Sequence, residues 1–328
     1  MLAIPQFIPP PKYFLYSPIR YQAIMSLPEN QTQNLQSHIT PDPLQGTRGS
    51  SEFEMQAALI PDENKFEYQS PADMIRTIET TADSGAADEY FLYFYGVTHG
   101  HLREIYREFS MSEHRCTVRF TTENSLSALI CRILPGGRHK TFIMNLGMKL
   151  ASKMSSIPGR TWNSIEFIGG DRFGIPKVRS KEGHDALVPA TRGKRPVWPS
   201  AMLEVGYSQA LDFLRLDAKW WLINSGGKTR FVMIFQIMTE PFALHIECWA
   251  MVTSDDQQTI QAPTLSPACV QLFDIETDGT VTSESTELRI PYCFIFDEPN
   301  ENAMDLVLSN AELSSFALRM FSMFSRYF

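Results

Sequence analysis

The sequence predicts an α/β fold with a mixed central sheet that is flanked by helices. After residue 88, helical patterns and strand-like runs follow in the order helix, strands, helix, strands, helix, which is typical of a layered α/β domain. Residues 231–237 form a nearly continuous apolar run of strand length, as expected for a strand buried in the middle of a sheet. The C-terminal segment places its apolar residues on one helical face, so a closing helix is expected to pack on that sheet.

Each element of this prediction comes from a periodic pattern or from a turn signal. Pro135-Gly136-Gly137 marks a turn between a strand and a helix. Helical spacing of apolar residues predicts helices at 90–109, 142–154 and 209–222, and from Asp305 or Asn310 towards the C-terminus. Alternating or continuous apolar runs predict strands at 116–120, 127–134, 165–168, 231–237, 244–252 and 288–296.

Composition limits the class of protein. The chain has 328 residues, of which 43% are hydrophobic and 20% charged, and this excludes a wholly disordered or collagen-like chain. Residues 28–50 are polar and proline-containing, with almost no periodic apolar pattern. We therefore expect residues 1–87 to be a poorly ordered lead-in and residues 88–328 to form one domain. The net charge of −8 means that any site for a polyanion must be a local patch.

Cysteine usage and the absence of long apolar runs indicate the compartment. The five cysteines are far apart and form no C-x-x-C motif or zinc-like cluster, so we expect reduced thiols and no structural zinc. The sequence contains no apolar run of about 18 residues, the length needed to span a bilayer, and prolines interrupt its first 21 residues. We expect an intracellular protein without a membrane partner, and the sequence leaves cytoplasm and nucleus open.

Two carboxylates are the strongest candidates for chemistry. Glu204 lies inside a strand-like run with apolar flanks, where an unpaired carboxylate is costly. If Asp185 lies on an adjacent strand, the two side chains could bind one Mg²⁺ through oxygen ligands and leave positions for water and phosphate. The structural alternative is that Glu204 pairs with an arginine or caps a turn.

A set of motifs around these carboxylates supports a resemblance to a known family. The motifs are Lys-Glu-x-x-Asp-Ala-x-x-Pro from residue 181, Trp-Pro-Ser-x-x-x-Glu-Val-Gly-Tyr-Ser from 198, Leu-Arg-x-Asp-Ala-x-x-Trp-Leu from 214 and Ser-Gly-Gly-Lys from 225. Together they resemble a group of fungal proteins similar to the PD-(D/E)XK nuclease superfamily, over a little more than half the chain from about Leu129. The resemblance implies a restriction-endonuclease-like fold, with Asp185 and Glu204 as the metal-binding carboxylates.

The sequence departs from the family pattern at two positions. The family lysine that orients or activates the attacking water normally stands two residues after the glutamate, and that position is Gly206 here. Some members place the lysine on the next helix, where Lys219 is the candidate, although a solvated helix lysine is the alternative. Related sequences also carry His-Glu on the first core helix, whereas this chain has His139-Lys140, which would bring a positive charge towards the metal.

A basic segment flanks Asp185. Between residues 172 and 195 there are seven basic residues and only two acidic ones. This excess predicts a site for the phosphates of a nucleic acid, and the alternative is a solvated loop. The residues that we assign to phosphate binding are Arg179, Lys181, Arg192 and Lys194.

Two functional hypotheses follow from these residues. The first is a metal-dependent hydrolase of phosphodiester bonds, in which Asp185 and Glu204 hold Mg²⁺ and Lys219 positions water. The second is a catalytically inactive protein of the same fold that serves as an accessory or interaction protein, for example in a fungal metabolic gene cluster. A pocket shared by Asp185, Glu204 and a lysine ammonium would favour the first hypothesis.

Overall fold

The computed structural model describes most of the chain in eight ranges. These are residues 45–84, 89–111, 116–134, 136–193, 197–207, 210–253, 265–298 and 303–326. The prediction for residues 1–44 and the phosphate-binding role of Lys194 lie outside the described residues.

Helices and strands alternate along these ranges. The helices are α1 Gln45–Leu59, α2 Pro71–Ser84, α3 His99–Met111, α4 Gly136–Met154, α5 Leu211–Asn224, the short α6 Tyr292–Ile295 and α7 Asn310–Phe324. The strands are β1 Lys65–Glu67, β2 Tyr90–Tyr95, β3 Thr117–Glu123, β4 Ala128–Leu134, β5 Ile165–Phe167, β6 Arg172–Ile175, β7 Arg179–Glu182, β8 Asp185–Pro189, β9 Ala201–Tyr207, β10 Phe231–Thr239, β11 Phe242–Thr253, β12 Leu265–Ile275, β13 Val281–Thr282, β14 Glu287–Ile290 and β15 Leu306–Ser309. Over the described ranges, no helix is long and apolar enough to cross a membrane.

The larger sheet, which we call the central sheet, has seven strands in the order β13-β12-β11-β10-β9-β8-β5. Strands β9 and β10 are parallel, and helix α5 is the connection between them. The pairs β5–β8, β8–β9 and β10–β11 are antiparallel. The sheet is therefore mixed, as the sequence predicts.

Helices cover both faces of the central sheet. On one face, α4 and α7 pack against β9 and β10 through side chains such as Leu146, Leu203 and Leu313. On the other face, α5 packs through Leu214 and Trp221 against the alternate residues of the same strands. Strands β8 and β9 are buried along their whole length because both of their faces are covered. The expectation of an α/β fold with helices on a mixed sheet is confirmed.

A second sheet, which we call the N-terminal sheet, has six strands in the order β1-β2-β4-β3-β7-β6. Its core includes Met74 and Ile78 of α2 and alternate buried residues of β2 and β4, such as Leu92 and Cys131. Helix α1 contributes Phe53 to a smaller cluster with Ile130 and Phe213, so it joins this sheet to α5. The segment predicted as a poorly ordered lead-in thus contains two helices and a strand between residues 45 and 84.

Two predicted elements have a different structure. The helix predicted at 90–109 is instead strand β2 followed by helix α3, because the aromatic run of β2 pairs with β4 and is followed by a turn at Gly96, whose φ is +80°. The strand predicted at 288–296 ends at Ile290, and Pro291 then starts the short helix α6. The closing helix begins at Asn310, where Ser309 and Glu312 form a capping box.

Candidate functional site

Glu204 lies in the middle of β9 and is 1% exposed. The indole Nε1 of Trp221 donates a hydrogen bond of 2.7 Å to its Oε1 atom. Its Oε2 atom contacts Nδ1 of His184 and lies 3.7 Å from Nη1 of Arg132. Glu204 therefore has a partner on each oxygen, which is what a buried carboxylate requires.

Arg132 reaches this carboxylate from β4 of the N-terminal sheet. Its guanidinium donates to Glu89, to the carbonyl oxygen of Val205 at 2.8 Å and to Oδ2 of Asp217 at 3.3 Å. The side chain is 7% exposed, so these contacts replace water. One arginine thus connects the N-terminal sheet, strand β9 and helix α5.

Lys181 supplies a second buried cation. Its Nζ atom lies 2.5 Å from Oδ1 of Asp217 and donates to Oγ1 of Thr121 at 3.0 Å. The amide of Gln56 on α1 also donates to Asp217. We call Glu89, Arg132, Lys181, Glu204 and Asp217 the Glu204 network. Burial raises the pKa of its three carboxylates, and the charges of Arg132 and Lys181 oppose that rise.

Gly206, two residues after Glu204 on β9, is a point of close approach. A Cβ atom there would lie 2.7 Å from Cβ of Ala210 and 3.0 Å from Nη2 of Arg132. Oε2 of Glu89 is only 3.2 Å from the same point. A side chain at residue 206 would therefore displace part of the Glu204 network.

Asp185 lies on β8, next to β9 as the sequence argument requires, but its side chain lies on the other face of the sheet. Asp185 pairs with Leu203, and successive side chains along a strand alternate between faces. Leu203 packs towards α4, whereas Glu204 contacts Trp221 of α5. Oδ2 of Asp185 accordingly lies near Gly147 of α4.

Asp185 has its own hydrogen bond outside the Glu204 network, although the charge of Arg119 acts on both Asp185 and Glu204. Its Oδ1 atom accepts a 2.8 Å hydrogen bond from the backbone N–H of Ala186. Burial raises its pKa to about 6, against the hydrogen bond from Ala186 and the charge of Arg119. The structure brings the two predicted metal ligands to adjacent strands and does not bring them to one pocket.

The two lysines considered from the sequence also lie elsewhere. Nζ of Lys219 lies 5.9 Å from the ring centroid of Trp249, beside β11, so its proposed role at Glu204 is corrected. Lys140 is exposed on α4. The preceding residue, His139, is instead buried, with its ring centroid 4.6 Å from that of His184.

The predicted phosphate ligands are mostly held in internal ion pairs, which corrects their assignment. Arg179 is buried, with Nε 3.1 Å from Glu123 and Nη1 3.2 Å from Oδ1 of Asn224. Lys181 belongs to the Glu204 network. Arg192 forms a bidentate ion pair with Asp297, with Nε 2.7 Å from Oδ2 and Nη2 2.8 Å from Oδ1. Their charges are therefore largely compensated within the protein.

Sequence reasoning missed Arg132, Glu89 and the roles of Asp217 and Trp221. The sequence does carry a signal for Asp217 and Trp221. They stand four residues apart in the motif from residue 214 and thus share a face of α5. Arg132 had none, because its partners Val205 and Asp217 are 73 and 85 residues away along the chain.

Comparison of the chain with protein-family models, with curated proteins and with solved structures gives no match. The chemistry of the site therefore follows from its own geometry. A carboxylate that accepts an indole N–H and faces a guanidinium is arranged to hold two sheets and a helix together.

Proposed function

We propose that this chain is a restriction-endonuclease-like protein that does not hydrolyse phosphodiester bonds and serves as a binding or accessory protein. The fold assignment is supported by the mixed sheet with helices on both faces and by the placement of Asp185 and Glu204 on adjacent strands. The absence of catalysis is supported by the contacts of Glu204 with Trp221, His184 and Arg132.

The observation that carries the proposal is the guanidinium of Arg132 beside Glu204, at 3.7 Å. Mg²⁺ requires oxygen ligands in near-octahedral geometry at about 2.0–2.1 Å. Here the carboxylate already accepts from Trp221, and the two predicted ligands lie on opposite faces of the sheet. Mg²⁺ therefore does not fit these residues.

Electrostatics and space argue in the same direction. Two unit charges of the same sign about 4 Å apart repel by about 4 kcal/mol at the effective dielectric of a protein, and twice that for a divalent ion, so Arg132 would offset much of the attraction that Glu204 exerts on Mg²⁺. A cavity of about 10 Å³ is lined by Arg132, Lys181 and Asp217. It has room for about one water molecule, so there is no space for a hydrated metal ion beside these three side chains of the Glu204 network.

The rival hypothesis is a Mg²⁺-dependent nuclease, and one experiment separates the two. Calorimetry with Mg²⁺ and Mn²⁺ is carried out on the wild type, Asp185→Asn and Glu204→Gln, with Glu284→Gln as an exposed carboxylate control. In parallel, cleavage of single-stranded DNA, double-stranded DNA and RNA is measured with each metal. We expect no metal binding that depends on Asp185 or Glu204, and no cleavage above background.

Metal binding that disappears in Asp185→Asn and in Glu204→Gln, but persists in Glu284→Gln, would contradict the proposal. Metal-dependent cleavage with the same pattern would establish the nuclease. Cleavage that survives both substitutions would instead place catalysis at other residues and also overturn the proposal.

A further inference from the structure

A cleft of about 700 Å³ lies between helix α3 and the hairpin formed by β6 and β7. Its lining includes the cationic side chains Arg103, Arg172, Lys177 and Arg179. None of the described residues that line it is an aspartate or a glutamate, although the chain as a whole carries a net charge of −8. Such a local reversal of charge favours an anionic ligand.

The four cations do not contribute equally. Arg179 is buried in its pair with Glu123. Arg172 lies 3.4 Å from Glu182 and stacks on the ring of Tyr106, with its Cζ atom 3.1 Å from the centroid. Arg103 and Lys177 are both exposed, one on each side of the cleft. These two side chains are therefore the ones that a ligand in the cleft would engage first.

Lys177 occupies a strained backbone position. Its φ is +62°, in a turn that the N–H of Val178 closes on the carbonyl oxygen of Ile175 at 3.0 Å. Pro176 precedes it, so the turn places Lys177 where glycine or asparagine is normally favoured. A lysine in the left-handed region costs about 1 kcal/mol, and such strain concentrates at functional sites.

The rest of the lining combines the polar side chains of His99, Thr122, Asn124 and Ser180 with an apolar and aromatic part. Trp198 and Phe173 line the cleft with ring centroids 5.9 Å apart. Their planes differ by 30°, and Leu102, Ile175 and Val197 also line the cleft. A volume of this size is within the range of about 300–1,000 Å³ that is usual for small-molecule sites.

We propose that this cleft binds a small organic anion that carries its acidic group on a flat, apolar ring system. The ring would lie against Trp198 and Phe173, and the acidic group would lie between Arg103 and Lys177. A nucleic-acid strand is a poorer match because its affinity grows with the number of phosphates neutralised, and the cleft offers few uncompensated cations. The inference does not depend on the state of Glu204.

The test uses two fluorescent probes with the same ring system. 8-Anilinonaphthalene-1-sulfonate carries a sulfonate, and N-phenyl-1-naphthylamine is its neutral counterpart. Both are titrated into the wild type and into Arg103→Gln/Lys177→Asn, a double variant chosen because asparagine tolerates the left-handed backbone. The matched control is Lys140→Gln/Arg319→Gln, which removes one exposed lysine and one exposed arginine from helices α4 and α7.

We expect saturable binding of the anionic probe that is weakened at least about tenfold in the cleft double variant and unchanged in the control. The neutral probe should bind more weakly and be insensitive to both variants. Equal binding of the two probes would overturn the proposal, as would retention of the anionic probe by the cleft variant or no saturable binding by the wild type. Displacement of the probe by a twelve-residue oligothymidylate at lower concentration than by adenosine monophosphate would assign the cleft to nucleic acid instead.

Discussion

The Nη2 atom of Arg132 lies 3.0 Å from the point that a Cβ atom on Gly206 would occupy. The same guanidinium nitrogen donates to the carbonyl oxygen of Val205 at 2.8 Å. Because residue 206 has no side chain, Arg132 of the N-terminal sheet can approach the backbone of β9 closely enough to form this hydrogen bond. Packing around residue 206 therefore requires a glycine.

We predict that Gly206→Ala lowers the free energy of unfolding by about 1–3 kcal/mol, the usual cost of overpacking a filled core. The added methyl group would meet Cβ of Ala210 at 2.7 Å and the guanidinium of Arg132. Urea unfolding followed by tryptophan fluorescence measures the change. Gly137→Ala is the control, because a Cβ atom in that helical position has no neighbour within 4 Å.

The control variant should be neutral or stabilising by up to about 1 kcal/mol. Gly206→Lys, which introduces the lysine of the PD-(D/E)XK pattern, should destabilise the protein more than Gly206→Ala does, and it should not produce metal-dependent cleavage. A stable Gly206→Lys variant that cleaves DNA or RNA would show that the lysine was lost from a working site.

The sequence predicts that Glu204 lies inside a strand with apolar flanks, and it leaves the adjacency of Asp185 as a condition, which the pairing of β8 with β9 meets. The sequence did not determine on which face of the sheet each side chain lies. The register of β8 against β9 determines it. Asp185 pairs with Leu203, and a shift of this register by one residue would put both carboxylates on one face. Arg132 was beyond prediction for a different reason, since its contacts join residues of two sheets that only tertiary packing brings together.

We predict opposite consequences for two substitutions in the Glu204 network. Arg132→Met should lower the free energy of unfolding by about 3–5 kcal/mol, because it leaves the carboxylate of Glu89 buried without its cation and removes one of the two cations beside Asp217. Glu204→Gln should change it by less than about 1 kcal/mol, since the amide oxygen still accepts from Trp221 and burial already disfavours the charged form. Chemical unfolding at pH 7 measures both.

The double variant Arg132→Met/Glu204→Gln tests the coupling between the two residues. It should be less destabilised than the sum of the single variants, because the neutral amide needs no cation. A Glu204→Gln variant as destabilised as Arg132→Met would show that the negative charge of Glu204, and not the hydrogen bond from Trp221, stabilises this contact.

Asp185 is expected to make stability depend on pH. Burial raises its pKa from 3.8 to about 6, so the folded state binds the proton more tightly than the unfolded state. Stability should therefore fall as the pH rises from about 4 to 6 and stay lower above that range. Asp185→Asn should be more stable than the wild type at pH 7.5 by up to about 3 kcal/mol, with no difference at pH 3.5.

Urea unfolding at pH 3.5, 5.0 and 7.5 measures this difference for Asp185→Asn and for the exposed control Glu284→Gln. The control should follow the wild type at each pH. An Asp185→Asn variant that is less stable at pH 7.5 would mean that the charged carboxylate has a favourable partner, and it would return Asp185 to the list of candidate metal ligands.

His245 on β11 gives the last prediction, because its ring joins two carboxylates. Nδ1 lies 2.6 Å from Oδ1 of Asp274, and Nε2 lies 3.0 Å from Oε1 of Glu247. Burial alone would lower the pKa of His245, but the hydrogen bonds to these carboxylates raise it above 6.5. The stabilisation is therefore complete below pH 6.5 and is lost as the pH rises through the raised pKa.

His245→Gln should lower the free energy of unfolding by about 1–2 kcal/mol at pH 5.5 and by clearly less at pH 9, as urea unfolding measures. An equal loss at both pH values would show that the ring contributes through packing and not through its charge.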